Sequence, residues 1–306
     1  MEELDADFGA IPTLRSVEAL KVYAHAHEGF RAYKEDRAVF YSDFNTLIPG
    51  ANEQYPVKRS FFAIFDGHGG ALVSEFLARR FAQELAEHRQ IRTDPVLALK
   101  EVWRIMDMLT YEHCVAWARQ RGAGQASLPC DGSTAVVALV VRDEVYVANA
   151  GDSLCYAKLC TGEILCLSDV HSTNNPDEVQ RVRDVGATVE ERHPKDGCLM
   201  HLCDLCGFCG NRGSKQASDK ATVPLPAPVA VSGPAKAGRV YPGGLTVTRA
   251  FGDFHAKRGE LGGVAGAVLS DSGPIRCFKM LSARWLVLAS DGVWDALSVP
   301  TVMAAL

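Results

Sequence analysis

Hydrophobic residues follow two different spacings along this chain of 306 residues. Short apolar runs separated by a few polar or glycine residues predict β-strands. Several connections are too short for a crossover, among them Arg142-Asp143 and Thr161-Gly162, which indicates antiparallel meanders. We expect strands near 19–26, 37–44, 60–66, 133–141, 144–150, 153–159, 163–168 and 284–290.

Helical spacing of apolar residues occurs in three places. One amphipathic helix is predicted directly after Gly70, and a second begins at Asp94 and runs to about Arg119. A third begins at Asn175, which is followed by proline and two acidic residues, and ends at Gly186. Strands, then paired helices, then more strands favour two sheets with helices outside them over a doubly wound parallel sheet.

Composition limits the classes of protein to which the chain can belong. With 47% hydrophobic and 23% charged residues, it resembles an ordinary globular protein. A net charge of −5 offers no basis for nucleic-acid binding, and no apolar run is long enough for a membrane span. The N-terminus lacks a signal-peptide pattern, and ten cysteines are not spaced as a disulfide framework. We expect an intracellular monomer, cytoplasmic or nuclear, with a tail at 1–18 and one domain at 19–306.

Carboxylates stand at the ends of predicted strands at several points along the chain. FFAIFDGHGG places Asp66 directly after a buried strand, and the glycines that follow let backbone approach an ion closely. WLVLASDGVWDAL repeats the arrangement at Asp291, VYVANAGDS delivers Asp152, and RAYKED adds Glu35 and Asp36. Such carboxylates repel one another unless cations lie between them. The pattern therefore indicates a site for hard divalent cations.

Several of the polar residues near these strand ends have more than one interpretation. His68 can move protons near neutral pH, but a structural turn histidine fits the same position. The planar guanidinium of Arg31 suits a phosphate group, and it also suits an ion pair with the carboxylates beside it. Asp152 is a candidate ligand or a residue that stabilises a turn. We interpret Asp253 and Asp295 as structural.

Six motifs occur in an order that resembles the protein phosphatase 2C family of metal-dependent protein serine/threonine phosphatases. They are GFRAYKED, FDGHGG, DGSTAVVALV, VANAGDS, LTVTRAFGDF and SDGVWDAL, and the resemblance runs from about residue 20 to 300. It implies an α+β fold with a central β-sandwich of two antiparallel sheets flanked by pairs of α-helices. The implied reaction is removal of phosphate from phosphoserine and phosphothreonine by a metal-activated water, with phosphoproteins as the partners.

The resemblance also implies which residues hold metal. Asp66 would bridge two Mg²⁺ or Mn²⁺ ions, and the carbonyl of Gly67 with the carboxylate of Glu35 would complete one of them. Asp291 would serve the other ion. Asp152, together with Asp291, resembles the ligands of a third, more weakly held metal.

Three further residues receive roles from the same resemblance. Asp36 resembles an outer-sphere metal ligand. Arg31 would grip the phosphate oxygens, and His68 would protonate the departing serine or threonine oxygen. With Asp66, these last two make up the predicted catalytic set.

The end of the chain departs from the family pattern. The sequence ends at Leu306, whereas the family continues to a later Asp-Asn block whose aspartate binds metal, and 298–306 offer no substitute. We therefore expect the domain to be C-terminally truncated and its activity to be impaired. The alternative is a pseudophosphatase, a binding or regulatory module that retains the sandwich without turnover.

A second departure is an insertion at about 193–241, where the family has a flap. Its first part spaces four cysteines as C-x4-C-x2-C-x2-C. A zinc ion, an iron–sulfur cluster or a redox switch would use such a group, but reduced cysteines without metal are the interpretation we favour. The second part is rich in Ala, Ser, Pro and Gly, which predicts a mobile linker. The cysteines are Cys198, Cys203, Cys206 and Cys209.

Overall fold

The computed structural model describes residues 20–27, 33–50, 57–124, 127–190, 238–280 and 283–306. Strands and helices alternate in blocks along these ranges. The strands are β1 (Arg37–Tyr41), β2 (Arg59–Phe65), β3 (Gly67–His68), β4 (Gly132–Ser133), β5 (Ala135–Val141), β6 (Glu144–Ala150), β7 (Leu154–Leu159), β8 (Ile164–Cys166), β9 (Thr188–Glu190), β10 (Arg239–Tyr241), β11 (Phe251–Gly252), β12 (Arg276–Lys279) and β13 (Ala283–Ala289). The α-helices are α1 (Leu72–Glu87), α2 (Pro95–Gln120), α3 (Pro176–Asp184), α4 (Phe254–Lys257), α5 (Asp291–Trp294) and α6 (Val299–Ala304).

Two antiparallel sheets form a sandwich. One has five strands in the order β1-β2-β5-β6-β12, and the other has three in the order β13-β7-β8. Strand β5 is uniformly apolar because both of its faces are buried. Val136 and Ala138 pack toward the second sheet, whereas Val137 and Leu139 pack toward the helices.

Helices α1 and α2 pair and cover the outer face of the five-stranded sheet. Their shared core is rich in aromatic rings: Phe81 of α1 lies 5.9 Å from Phe65 and 5.4 Å from Trp103 of α2, measured between ring centroids. Trp103 in turn lies 5.2 Å from Phe251. These rings tie the helix pair both to β2 and to β11, and so fix the end of the sandwich where β2 stops.

The other elements pack at the edges of the sandwich. Met303 of α6 is buried against Leu154 and Tyr156, so the short C-terminal helices lie over the second sheet. Helix α3 contributes Val182 to a separate cluster with Val240 of β10. Strand β10 pairs with β9, the strand that precedes the inserted segment.

The predicted fold class is confirmed: two antiparallel sheets form a sandwich, and helices lie outside it. The strand predicted over 19–26 is wrong, because 21–27 form no ladder and Leu20 makes only an isolated bridge. That segment is held by side chains instead, since the ring of Tyr23 contacts that of Trp285. The predicted tail and most of the insertion lie outside the described residues. In the part of the chain that the structure describes, no helix is long and apolar enough to cross a membrane.

Candidate active site

A small antiparallel sheet brings three of the sequence motifs together. Strand β4 lies in the middle, with β3 on one edge and β11 on the other. Gly132 is therefore opposite His68 on one side and opposite Gly252 on the other. The motifs FDGHGG, DGST and AFGD, distant in sequence, meet at this junction beside the end of β2.

Three carboxyl groups gather where β2 ends. Asp66 is fixed by its backbone, because its N–H donates to Thr134 Oγ1 at 3.3 Å and its carbonyl accepts from the Thr134 N–H at 2.9 Å. Burial is the largest cause that raises the pKa of Asp66, and together with the charges and hydrogen bonds of Asp291 and Asp36 it brings this pKa to about 10. Ser290 Oγ donates to Asp36 Oδ2 at 2.9 Å, which links the start of β1 to the end of β13.

Two more aspartates extend this cluster. Asp152 follows β6, and burial raises its pKa to about 7, with Asp291 as the largest charge effect. Asp295 lies one turn after Asp291, and its backbone N–H donates to the Asp291 carbonyl at 2.7 Å. Burial and Asp291 also raise the pKa of Asp295. Asp295, interpreted from sequence as structural, therefore lies in the electrostatic field of the cluster.

His68 lies next to the cluster and makes one short bond to a buried carboxylate. Its Nε2 is 2.8 Å from Oδ2 of Asp253, whose side chain is completely inaccessible to solvent, while the imidazole is 29% exposed. Burial lowers the pKa of His68, but the charge and hydrogen bond of Asp253, with smaller effects of Asp152 and Glu35, raise it above its ordinary value. The imidazole of His68 therefore lies between the carboxyl groups at the end of β2 and the more deeply buried carboxylate of Asp253.

Gly67 occupies a position with no room for a side chain. A Cβ there would lie 2.7 Å from the Glu35 backbone oxygen and 2.7 Å from Ser74 Oγ. Ser74 Oγ itself donates to that Glu35 oxygen at 2.6 Å. The absence of a side chain thus lets β1 approach the turn after β2, and it keeps the buried Glu35 beside the site.

Asp131 fixes the turn that carries His68. Its Oδ2 accepts from the backbone N–H of Leu72 at 3.0 Å and so caps α1, whose own N-cap residue Ala71 makes no side-chain bond. A Cβ on Gly70 would lie 2.0 Å from the same oxygen. Burial raises the pKa of Asp131 to about 6, against the opposing effect of the Leu72 N–H.

The donor set at the end of β2 fits hard divalent cations. The side chains that act most strongly on Asp66 and Asp152 are carboxylates, which are the oxygen ligands preferred by Mg²⁺ and Mn²⁺. Crowded, buried carboxylates with raised pKa values gain most from a neutralising cation. Among the described residues, no three His, Cys, Asp or Glu side chains are arranged as a formed metal site, so the fit rests on the chemistry and proximity of the donors.

The structure brings together most of the residues that the sequence singled out. Arg31 and the four cysteines of the insertion lie outside the described residues. Two further polar residues lie at this junction: Asp131 received no role from the sequence, and Asp253 was interpreted as structural. Asp131 precedes a glycine and Asp253 follows one, each within a motif already noted, and this position beside glycine was the only sign of either residue in the sequence. The residues found together are Glu35, Asp36, Asp66, Gly67, His68, Asp152 and Asp291.

We expect Gly67→Ala to destabilise the protein by about 1–3 kcal/mol, because the new methyl group overlaps the Glu35 backbone oxygen. Urea denaturation at neutral pH measures the change. Gly259→Ala is the matched control, since a Cβ at Gly259 would meet no atom of the described residues within 4 Å. Equal denaturation midpoints for Gly67→Ala and the control would show that the turn yields easily and that the close approach is unimportant.

Comparison with known proteins identifies the family. The family model described as Protein phosphatase 2C matches residues 20–304. The chain is 32% identical over 157 residues to Probable protein phosphatase 2C 56 of Oryza sativa subsp. japonica, a match covering 49% of this chain. It is 33% identical over 181 residues to Probable protein phosphatase 2C 11 of Arabidopsis thaliana, covering 59% of this chain. The matches span 42% and 44% of these relatives, so the chain spans less than half of their length.

Longer matches support the same family. Probable protein phosphatase 2C 42 of Oryza sativa subsp. japonica is 24% identical over 305 residues, covering 91% of this chain and 71% of the relative. The crystal structure of serine-threonine phosphatase 2C from Toxoplasma gondii shares the fold with a TM-score of 0.60 at 18% identity, covering 88% of this chain and 76% of that chain. On the family match over nearly its whole length, the chain belongs to the protein phosphatase 2C family.

Proposed function

We propose that this chain removes phosphate from phosphoserine and phosphothreonine residues of proteins, with Mg²⁺ or Mn²⁺ as cofactor. Family membership supports a protein phosphatase that depends on metal. The observation that carries the proposal is the gathering of Asp36, Asp66, Asp152 and Asp291 from four separate strand ends, next to His68.

Asp66 and Asp291 are the residues we propose as the main metal ligands, with Glu35 and the Gly67 carbonyl on the side of β1. Asp152 would hold a third, weaker ion, and Asp36 would act at the outer sphere. When bound, the divalent ions supply Lewis acidity and lower the pKa of a water. The chain's part is to hold these carboxylates on rigid strand ends, so that binding requires little rearrangement.

The reaction adds one water across the phosphoester. A bond forms between phosphorus and the water oxygen, and the bond between phosphorus and the serine or threonine oxygen breaks. We propose that His68 gives its proton to that departing oxygen, because an alkoxide is a poor leaving group, and that solvent then returns a proton to the imidazole. Arg31 is the proposed phosphate ligand, on the strength of its motif alone.

The test is phosphate release from a phosphothreonine peptide by the purified protein, with Mn²⁺ and Mg²⁺ titrated to millimolar concentrations. We expect turnover that rises with metal and stops when EDTA is added. A phosphotyrosine peptide of the same sequence serves as the substrate control, and we expect it to be cleaved more slowly.

Metal binding is measured separately by calorimetry with Mn²⁺ alone. Binding without turnover, in a folded protein, would contradict the enzyme proposal and would favour a pseudophosphatase that docks phosphoproteins. Neither binding nor turnover would contradict the metal site as well.

A further inference from the structure

The bond between His68 and Asp253 differs from the rest of the site, because it joins the proposed acid to a carboxylate that is not in the metal cluster. Nε2 and Oδ2 are 2.8 Å apart, a normal length for a charge-assisted hydrogen bond. Both residues stand on strands of the small sheet, or directly after one, so backbone pairing sets their separation.

Asp253 is built into its position. It is completely buried, its backbone has a left-handed φ of 51°, and its N–H donates to the Asp131 carbonyl at 3.0 Å. A left-handed conformation is unfavourable for an aspartate by about 1 kcal/mol or more, so the surrounding fold must enforce it. The junction therefore fixes the backbone position from which the side chain of Asp253 reaches His68.

The other oxygen of Asp253, Oδ1, is buried and finds no hydrogen-bond partner among the described residues. Lys257 lies near enough for its charge to interact with that of Asp253. A buried carboxylate with so few partners is costly unless one of them is strong. The 2.8 Å contact between its second oxygen and His68 is that strong interaction, and it holds the imidazole in one orientation.

The contact also depends on a glycine between the two strands. A Cβ on Gly132 would lie 2.3 Å from His68 Nε2 and 2.1 Å from Asp253 Oδ2. Gly132 is not among the residues with positive φ, so its backbone conformation suits alanine and only the space is missing. The missing side chain at this position is what allows the histidine and the aspartate to meet.

We propose that Asp253 is a positioning residue for His68: it accepts the Nε2–H bond and so leaves Nδ1 as the nitrogen that gives its proton to the departing oxygen. A carboxylate on one ring nitrogen fixes the tautomer and aims the other nitrogen. The proposal deepens the phosphatase function proposed above and rests on it for the identity of the proton acceptor.

The first measurement is the tautomer of His68 by ¹⁵N NMR of the imidazole at alkaline pH, with His68→Asn to assign the signal among the nine histidines. We expect hydrogen on Nε2 in the wild type and a mixture of tautomers in Asp253→Asn. Hydrogen on Nδ1 in the wild type would overturn the assignment, whether or not the protein turns out to be a phosphatase.

The second measurement compares two substrates. We expect Asp253→Asn to lower kcat on a phosphothreonine peptide by about 100-fold, the lower range for losing general acid catalysis. Hydrolysis of p-nitrophenyl phosphate should change less than about threefold, because p-nitrophenolate leaves without needing a proton. Gly132→Ala places a methyl group between the two side chains and so separates them without changing the chemistry of either residue, and it should give the same split.

Controls separate positioning from folding. His88 Nε2 lies 2.8 Å from Glu101 Oε2 at the far end of α1, so Glu101→Gln removes an equivalent bond away from the site. We expect it to leave both substrates unaffected. In a His68→Ala background, Asp253→Asn should add no further loss if Asp253 acts through His68. Equal losses on both substrates, or additive losses in the double variant, would contradict the proposal. Wild-type inactivity on both substrates would contradict the phosphatase function instead, and the tautomer would still decide the positioning role.

Discussion

Asp66→Asn should abolish metal-dependent phosphate release while leaving the protein folded. Because Asp66 is the carboxylate on which Asp36 and Asp291 converge, we expect kcat/KM to fall by more than ~100-fold, the upper range for residues that merely orient a metal ligand. The amide is isosteric and leaves both backbone bonds to Thr134 unchanged. Phosphate release from a phosphothreonine peptide measures the loss, and calorimetry measures the accompanying decrease in Mn²⁺ affinity.

The same variant should not be less stable without divalent ions. Asp66 has a raised pKa because burial and two neighbouring carboxyl groups disfavour its charge, and asparagine removes that charge. Asp184→Asn, at an exposed position at the end of α3, is the control for a lost surface carboxylate. If Asp66→Asn retained metal-dependent turnover, that result would contradict the assignment of Asp66 as a main metal ligand.

Glu178→Gln should cost about 3–5 kcal/mol of unfolding free energy at pH 7, because it removes the buried anion that two half-buried guanidinium groups share. Glu178 is 5% exposed and accepts from Arg249 Nη2 at 2.6 Å, Arg181 Nη2 at 2.8 Å and Thr248 Oγ1 at 2.8 Å. This network joins α3 to the segment that leads into β11. Urea denaturation followed by circular dichroism measures the change.

The pH dependence of this effect follows from the pKa of Glu178. Burial raises it, but the hydrogen bonds from Arg249, Arg181 and Thr248 outweigh burial and lower it from 4.5 to about 2. An acid with a lowered folded-state pKa stabilises the fold above its unfolded pKa, and that contribution is lost as pH falls toward the folded value. The difference between wild type and Glu178→Gln should therefore shrink by about 2 kcal/mol between pH 5 and pH 3.

Asp177→Asn is the matched control, because Asp177 lies on the same helical turn but is exposed. We expect it to cost less than about 1 kcal/mol through the helix dipole alone. A Glu178→Gln protein with the wild-type denaturation midpoint, or a difference independent of pH, would contradict the role given to the network.

The sandwich and its strand-end aspartates were predictable because their signals are local. An apolar run that stops on aspartate, as at Asp66 and Asp291, predicts both a strand and a polar group at the end of that strand. The bond between His68 and Asp253 was not predictable, because β3, β4 and β11 are two residues long and have no periodicity to detect. Strand β12 escaped detection for a different reason, since it lies at a sheet edge and is largely exposed.

The separation of His68 from Asp253 along the chain has a consequence for biosynthesis. The two residues are 185 positions apart, and the strand that precedes Asp253 pairs with the strand that pairs with His68. A ribosome adds about 5–20 residues per second, so the nascent imidazole exists for roughly 10–40 s before the carboxylate that orients it has been made. During that time β4 has only one of its two neighbours. The nascent chain therefore gains a correctly oriented His68 only late in translation, after most of the sandwich has been synthesised.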